Sequence, residues 1–141
     1  MTLPPMQTLA GLKAAYANGL TPLDVVEEVI RRRDSLADPA VFICPTPDNA
    51  LREAARDVMA GPRDLPLWGI PFAVKDNIDV AGLPTTAACP AFAYRPEADA
   101  TVVARLRAAG AIVIGKTNLD QFATGLNGTR SPYGAPRSVF N

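Results

Sequence analysis

The residues with the most specific chemistry are the lysines. Of 14 basic residues only Lys13, Lys75 and Lys116 are lysine, so arginine supplies the ordinary surface charge. Lys75 and Lys116 each follow an apolar, strand-like run. Partial burial there disfavours the charged ammonium and can leave a neutral amine to act as a base, which a permanently protonated arginine cannot do. From the residues alone a plainer reading is preferred: a strand-end lysine whose stem lies along apolar surface and whose head pairs with Asp76 or Asp79.

What is missing narrows the chemistry further. The sequence has no histidine, which removes Ser-His-Asp and Cys-His catalysis and every His-containing zinc site. Two cysteines, Cys44 and Cys89, cannot make a four-thiolate centre, and two free thiols are expected rather than a disulfide. Cys89, between Ala88 and Pro90 with no base in view, reads as a structural thiol. Asp76 and Asp79 have no nearby residues to complete a cation site. No metal and no cofactor are expected. The three serines are Ser35, Ser131 and Ser138, and none lies in a G-x-S-x-G elbow.

One motif misleads. Gly110-Ala-Ile-Val-Ile-Gly115-Lys116-Thr117 matches the P-loop pattern letter for letter. A P-loop needs a strand before its first glycine and a flexible loop between the two. Here a helical pattern precedes Gly110, and Ala111–Ile114 has the composition of a strand itself. A strand entering a capped helix is therefore preferred over a nucleotide site.

The elements that must position these residues divide the chain in two. Residues 1–62 read as helical. Leu9, Leu12 and Tyr16 share a face closed by Gly19, and Thr21-Pro22 with Asp24 starts a second helix bearing Leu23, Val26, Val29 and Ile30. Arg31-Arg32-Arg33 is a solvated face offset by Glu27, Glu28 and Asp34. Val41–Cys44 is a short strand. Thr46-Pro47 repeats the start signal before an amphipathic helix carrying Leu51, Ala54, Ala55, Val58 and Met59, closed by Gly61-Pro62.

Residues 63–141 read as α/β. Trp68 belongs to core or a packed turn. Phe72-Ala73-Val74 forms a strand with Lys75 at its outlet, and loop chemistry follows through Pro96. Thr101–Ala109 is a helix with Val102, Leu106 and Ala109 inward. Ala111–Ile114 is a buried strand, and Thr117 or Asn118 caps a short helix with Leu119, Phe122 and Ala123. A glycine-rich loop runs from Gly125 to Gly134. With no Ser/Gly-rich linker, one domain is preferred.

Charge and hydropathy exclude other classes. In 141 residues, 14 basic side chains balance 14 acidic ones, so no basic surplus exists for nucleic acid. The apolar runs are too short to span a bilayer, and Met1–Met6 lacks the build of a secretory signal. A cytoplasmic chain is expected.

The stretch Gly69-Ile70-Pro71-Phe72-Ala73-Val74-Lys75-Asp76-Asn77, with Pro84-Thr85-Thr86-Ala87 and Ala109–Asn118, resembles the amidase signature family. Within it, the text from Asp120 to Gly134 looks like allophanate hydrolases. The similarity covers Leu67 to Gly134, about half of the chain. It implies an α/β amidase-signature domain with early helices packed on a mixed β-sheet, and a Ser–cis-Ser–Lys hydrolase in which Lys75 is the catalytic base. That implication overrides the plainer reading of Lys75.

The resemblance further implies no cofactor, a small amide substrate such as allophanate in urea degradation, and a full-length parent compatible with a homodimer. Gly125 is placed at the substrate pocket. The family's two serines belong to a Gly/Ser-rich segment expected just after Phe140-Asn141; Ser131 and Ser138 match neither. The chain is thus expected to be an N-terminal portion of one amidase domain, inactive and poorly folded alone. Its alternatives are a non-catalytic interaction fragment and, more distantly, a nucleotide binder.

Overall fold

A computed structural model describes Leu3 and residues 8–140. The reading of Met1–Met6 as no signal falls largely outside the described residues, as does Asn141.

The helical first part follows its sequence signals closely. Helix α1 (Leu9–Ala17) is capped by Thr8, whose hydroxyl accepts the N–H of Gly11. It buries Leu12 and Tyr16 but leaves Leu9 about half exposed. Helix α2 (Pro22–Ser35) opens with Thr21 and Asp24 bonded reciprocally, each side chain accepting from the other's backbone N–H. Gly69 closes the seam between α1 and α2: a Cβ there would press into the Pro22 ring and the Tyr16 hydroxyl, at 2.7 and 2.9 Å. That hydroxyl donates to the Gly69 carbonyl at 2.6 Å, and burial pushes the Tyr16 phenol up.

Strand β1 (Phe42–Pro45) leads to helix α3 (Asp48–Ala60). Thr46 does not cap α3 as expected. Its hydroxyl donates instead to the Val113 carbonyl at 3.0 Å, because its backbone N–H is drawn onto the sheet by the Ile114 carbonyl. The Arg31–Arg33 run is offset only in part as expected: Arg31 and Arg32 pair with Glu28 and Arg33 with Asp34, but Glu27 pairs with Arg52, and Arg33 is half-buried and reaches Asp48 rather than lying on a solvated face.

Strands β2 (Pro71–Lys75) and β3 (Ile112–Thr117) complete a three-stranded mixed sheet of order β1-β3-β2. The central β3 runs antiparallel to β1 and parallel to β2. Successive side chains of β3 enter opposite cores, which is why its apolar run is continuous. Ile112 joins Val26, Ile30, Leu51 and Ala55 beneath α2 and α3. Val113 joins Val74, Val80 and Val103 beneath helix α4 (Thr101–Ala108). This is the mixed α/β architecture with early helices on a mixed sheet that the sequence implied.

Three expectations in this part are corrected. In α4 the inward residue is Val103, 1% exposed, whereas Val102 is 53% exposed beside Phe72 and Ile78 at the open side of β2. Strand β3 extends two residues beyond Gly115 to take in Lys116 and Thr117, and Ile114 is only half-buried. No α-helix follows among the described residues, only a 3-10 turn at Gln121–Ala123. Phe122 and Ala123 sit at φ 52° and 56°, in the left-handed region that terminates a right-handed helix.

Candidate active site

Lys75 is the last residue of β2, as its position after Phe72-Ala73-Val74 predicts. Its side chain is exposed, against the expectation of burial. The reason is the face it lies on: Val74 points into the core with Val80, Val103 and Val113, whereas Lys75 shares the opposite face of β2 with Ala73, which is exposed. The ammonium makes no hydrogen bond or ion pair with the described residues.

The buried lysine is Lys116. Lys116 and Asp76 are both 0% exposed, and their charges stand 2.9 Å apart. The ammonium also reaches the Pro84 carbonyl at 3.0 Å and the Thr85 hydroxyl at 3.2 Å, so its three donors have three partners. On the other carboxylate oxygen, Asp76 accepts the Thr86 N–H at 3.0 Å and a very short hydrogen bond from the Thr86 hydroxyl. Taking both charges out of water is expensive, and removing one partner of such a pair typically costs about 3–5 kcal/mol. The plain strand-end pairing with Asp76 therefore describes Lys116, not Lys75.

Asp79 joins this group through the Thr85 hydroxyl, which accepts from Lys116 and donates to Asp79. It accepts from the Thr85 and Tyr94 hydroxyls at 2.8 and 2.7 Å, and the bond to Asp79 raises the Tyr94 phenol. No cluster that could hold a metal ion exists among the described residues. Cys44 and Cys89 are both free, with burial pushing the Cys44 thiol up.

Beyond Thr86 the backbone is strained. Ala87 and Ala88 adopt φ of 50° and 59°, costly for residues with a Cβ. The Ala88 N–H donates to the Thr86 hydroxyl at 3.1 Å. The second strained pair docks on the first: the Phe122 N–H donates to the Ala87 carbonyl at 2.9 Å, and the Gln121 side-chain amide to the Ala88 carbonyl at 3.1 Å. A chain of contacts thus links the Asp76 clamp to the loop that holds Gly125.

Gly125 is half-buried against Asp120. The Asp120 carboxylate gathers the N–H groups of Arg130, Gly128 and Asn127 at 2.7, 2.9 and 3.2 Å, and these bonds hold it below the usual carboxylate range. Gly125 is needed there for that packing. In the sequence Asp120 stands inside a motif with no role of its own, although an acid preceding a glycine-rich loop is a signal for such a cradle. Asp76 is legible there as a lysine partner, but not which lysine it serves.

These features have counterparts in known proteins. The Amidase family model matches residues 24–141. Over 82 residues the chain is 72% identical to a urea amidolyase of Lachancea kluyveri, a stretch that is 58% of this chain and 4% of that protein. It is 42% identical over 144 aligned positions to a glutamyl-tRNA(Gln) amidotransferase component from Symbiobacterium thermophilum, covering 96% of this chain and 29% of the relative. The solved Kluyveromyces lactis allophanate hydrolase superposes with a TM-score of 0.78 at 46% identity, over 91% of this chain and 22% of that one. The chain therefore spans only a small part of the relatives it matches. With the family model covering most of its length and the same fold recurring in the relatives, the chain belongs to the amidase family of hydrolases.

Proposed function

We propose that residues 1–141 are the N-terminal portion of one cytoplasmic amidase domain, and that Lys75 is its general base. The substrate is a small amide, allophanate or a close analogue. The observation that carries this reading is the contrast between the two strand-end lysines. Lys116 is sealed among three polar atoms and fixed in an ion pair, whereas Lys75 presents an exposed amine with no partner among the described residues. The 46% identity to the solved allophanate hydrolase, with the 72% identity to a urea amidolyase, supports allophanate over a tRNA-bound substrate.

In this reading the neutral lysine takes a proton from a bridging serine, which takes one from the nucleophilic serine. The serine oxygen bonds to the amide carbonyl carbon, backbone N–H groups hold the oxyanion, and the C–N bond breaks. The relayed proton leaves with ammonia, and water then cleaves the acyl-enzyme. Both serines come from outside residues 1–141, so these residues alone turn over no amide. Packing the remainder of the domain against β2 would supply the desolvation that Lys75 lacks here.

The test is ammonia release from allophanate by the whole enzyme carrying this segment. Lys75→Ala should abolish it, and Lys75→Arg should fail equally, since arginine keeps the charge and cannot deprotonate. Turnover surviving in Lys75→Ala would reject the mechanism. Partner capture with no turnover in the unaltered enzyme would favour a non-catalytic role.

A further inference from the structure

We propose that the buried Asp76–Lys116 pair, with Thr86, is a positioning device for Lys75. The proposal rests on Lys75 being the base of the amidase described above. Asp76 is the next residue after Lys75, and Lys116 stands opposite Val74 in the β2–β3 ladder, where Lys75 itself is opposite Thr117. The pair therefore brackets Lys75 from its own strand and from the neighbouring one.

Three segments meet at this clamp. The end of β2 is held through the Asp76 carboxylate and the Asp76 N–H, which donates to the Thr117 carbonyl at 3.0 Å. The end of β3 is held through Lys116. The loop after β2 is held through the Pro84 carbonyl, the Thr85 hydroxyl and both donors of Thr86. That loop returns one more bond, from the Ala87 N–H to the Asp76 carbonyl at 3.1 Å.

Among the described residues the Lys75 side chain has no partner, so within this segment its aim is set by this backbone. Apolar residues would fill the same volume at less electrostatic cost, but they would not be directional. A fixed ammonium and carboxylate with five defined contacts are. Misplacing a catalytic group by an ångström lowers turnover without changing how well substrate binds.

The experiment uses the whole enzyme carrying Asp76→Asn, Lys116→Met, the double variant, and Thr86→Val. Each charge-removing single variant should lower the melting temperature, and the double should recover most of that loss, because neither charge is then left alone. If the pair positions Lys75, the double still shows a kcat reduced by about tenfold or more with KM unchanged within about twofold. Recovery of kcat together with melting temperature would reduce the pair to a structural role and overturn the proposal.

Thr86→Val decides the matter where the charge variants fail to fold. It removes the hydroxyl that donates to Asp76 and accepts from the Ala88 N–H, and keeps the ion pair and the volume. A lower kcat at constant KM supports the proposal, and an unchanged kcat overturns it. The functional reading is tested separately: Lys75→Ala inactive beside a fully active Thr86→Val rejects the positioning role alone, whereas an active Lys75→Ala rejects the base itself.

Discussion

Gly125 lies so close to Asp120 that a Cβ on it would collide with the carboxylate oxygen and the two carbons behind it. The contact explains the glycine without reference to any ligand, and it makes the loop's shape depend on one side chain. Gly125→Ala should push Asp120 off its cradle and free the N–H groups of Asn127, Gly128 and Arg130. We expect a loss of about 1–3 kcal/mol in denaturant unfolding. Faster hydrogen exchange confined to Asn127, Gly128 and Arg130 would locate the damage, and unchanged exchange there would contradict it.

The same cradle sets an acid limit. The Asp120 carboxyl is lowered in the folded state, chiefly by the Arg130 and Gly128 N–H groups. Glu28, between Arg31 and Arg32, is lowered to about 2. Both contributions are complete above the unfolded carboxylate range near about 4 and disappear as pH falls through the folded values. Melting temperature measured from pH 5 to pH 2 should fall steadily. Glu28→Gln should flatten part of that slope, and a variant with the unaltered slope would show that Glu28 contributes nothing to it.

Nucleotide should not bind at Gly110–Thr117. The residues between the two glycines include Ile112 and Val113, 2% and 4% exposed in two different cores, and the Lys116 ammonium is committed to Asp76. Calorimetry with MgATP should give no heat of binding. Micromolar affinity that is lost in Lys116→Met would overturn the rejection of the motif.

Thr46→Val should cost about 1 kcal/mol, because the Val113 carbonyl loses its hydroxyl donor inside the sheet. Tyr16→Phe should cost a similar amount by orphaning the Gly69 carbonyl. The two sites lie in different clusters, so the double variant should be additive in denaturant unfolding. Strong coupling between them would mean that the α1–α2 seam and the sheet do not respond independently.

The sequence alone determined whatever depends on near neighbours in the chain. The capping box at Thr21 and Asp24 is local, and so is the alternation that buries Ile112 and Val113 on opposite faces of one strand. The absence of histidine was equally readable and removed His-based chemistry, and the motif around Lys75 resembled the amidase signature family. Which lysine is sealed was decided only in three dimensions. Lys75 and Lys116 follow equally apolar runs, but Lys116 is covered by the returning loop at Pro84 and Thr85 and by Asp76, whereas Lys75 lies with Ala73 on an exposed face of β2. Thr46 and Val102 went astray for the same reason. A hydroxyl beside a helix start can cap or cross to a strand, and a valine on a short helix can face either side. The contacts that choose join residues 67 apart for Thr46 and Val113, and no local pattern encodes them.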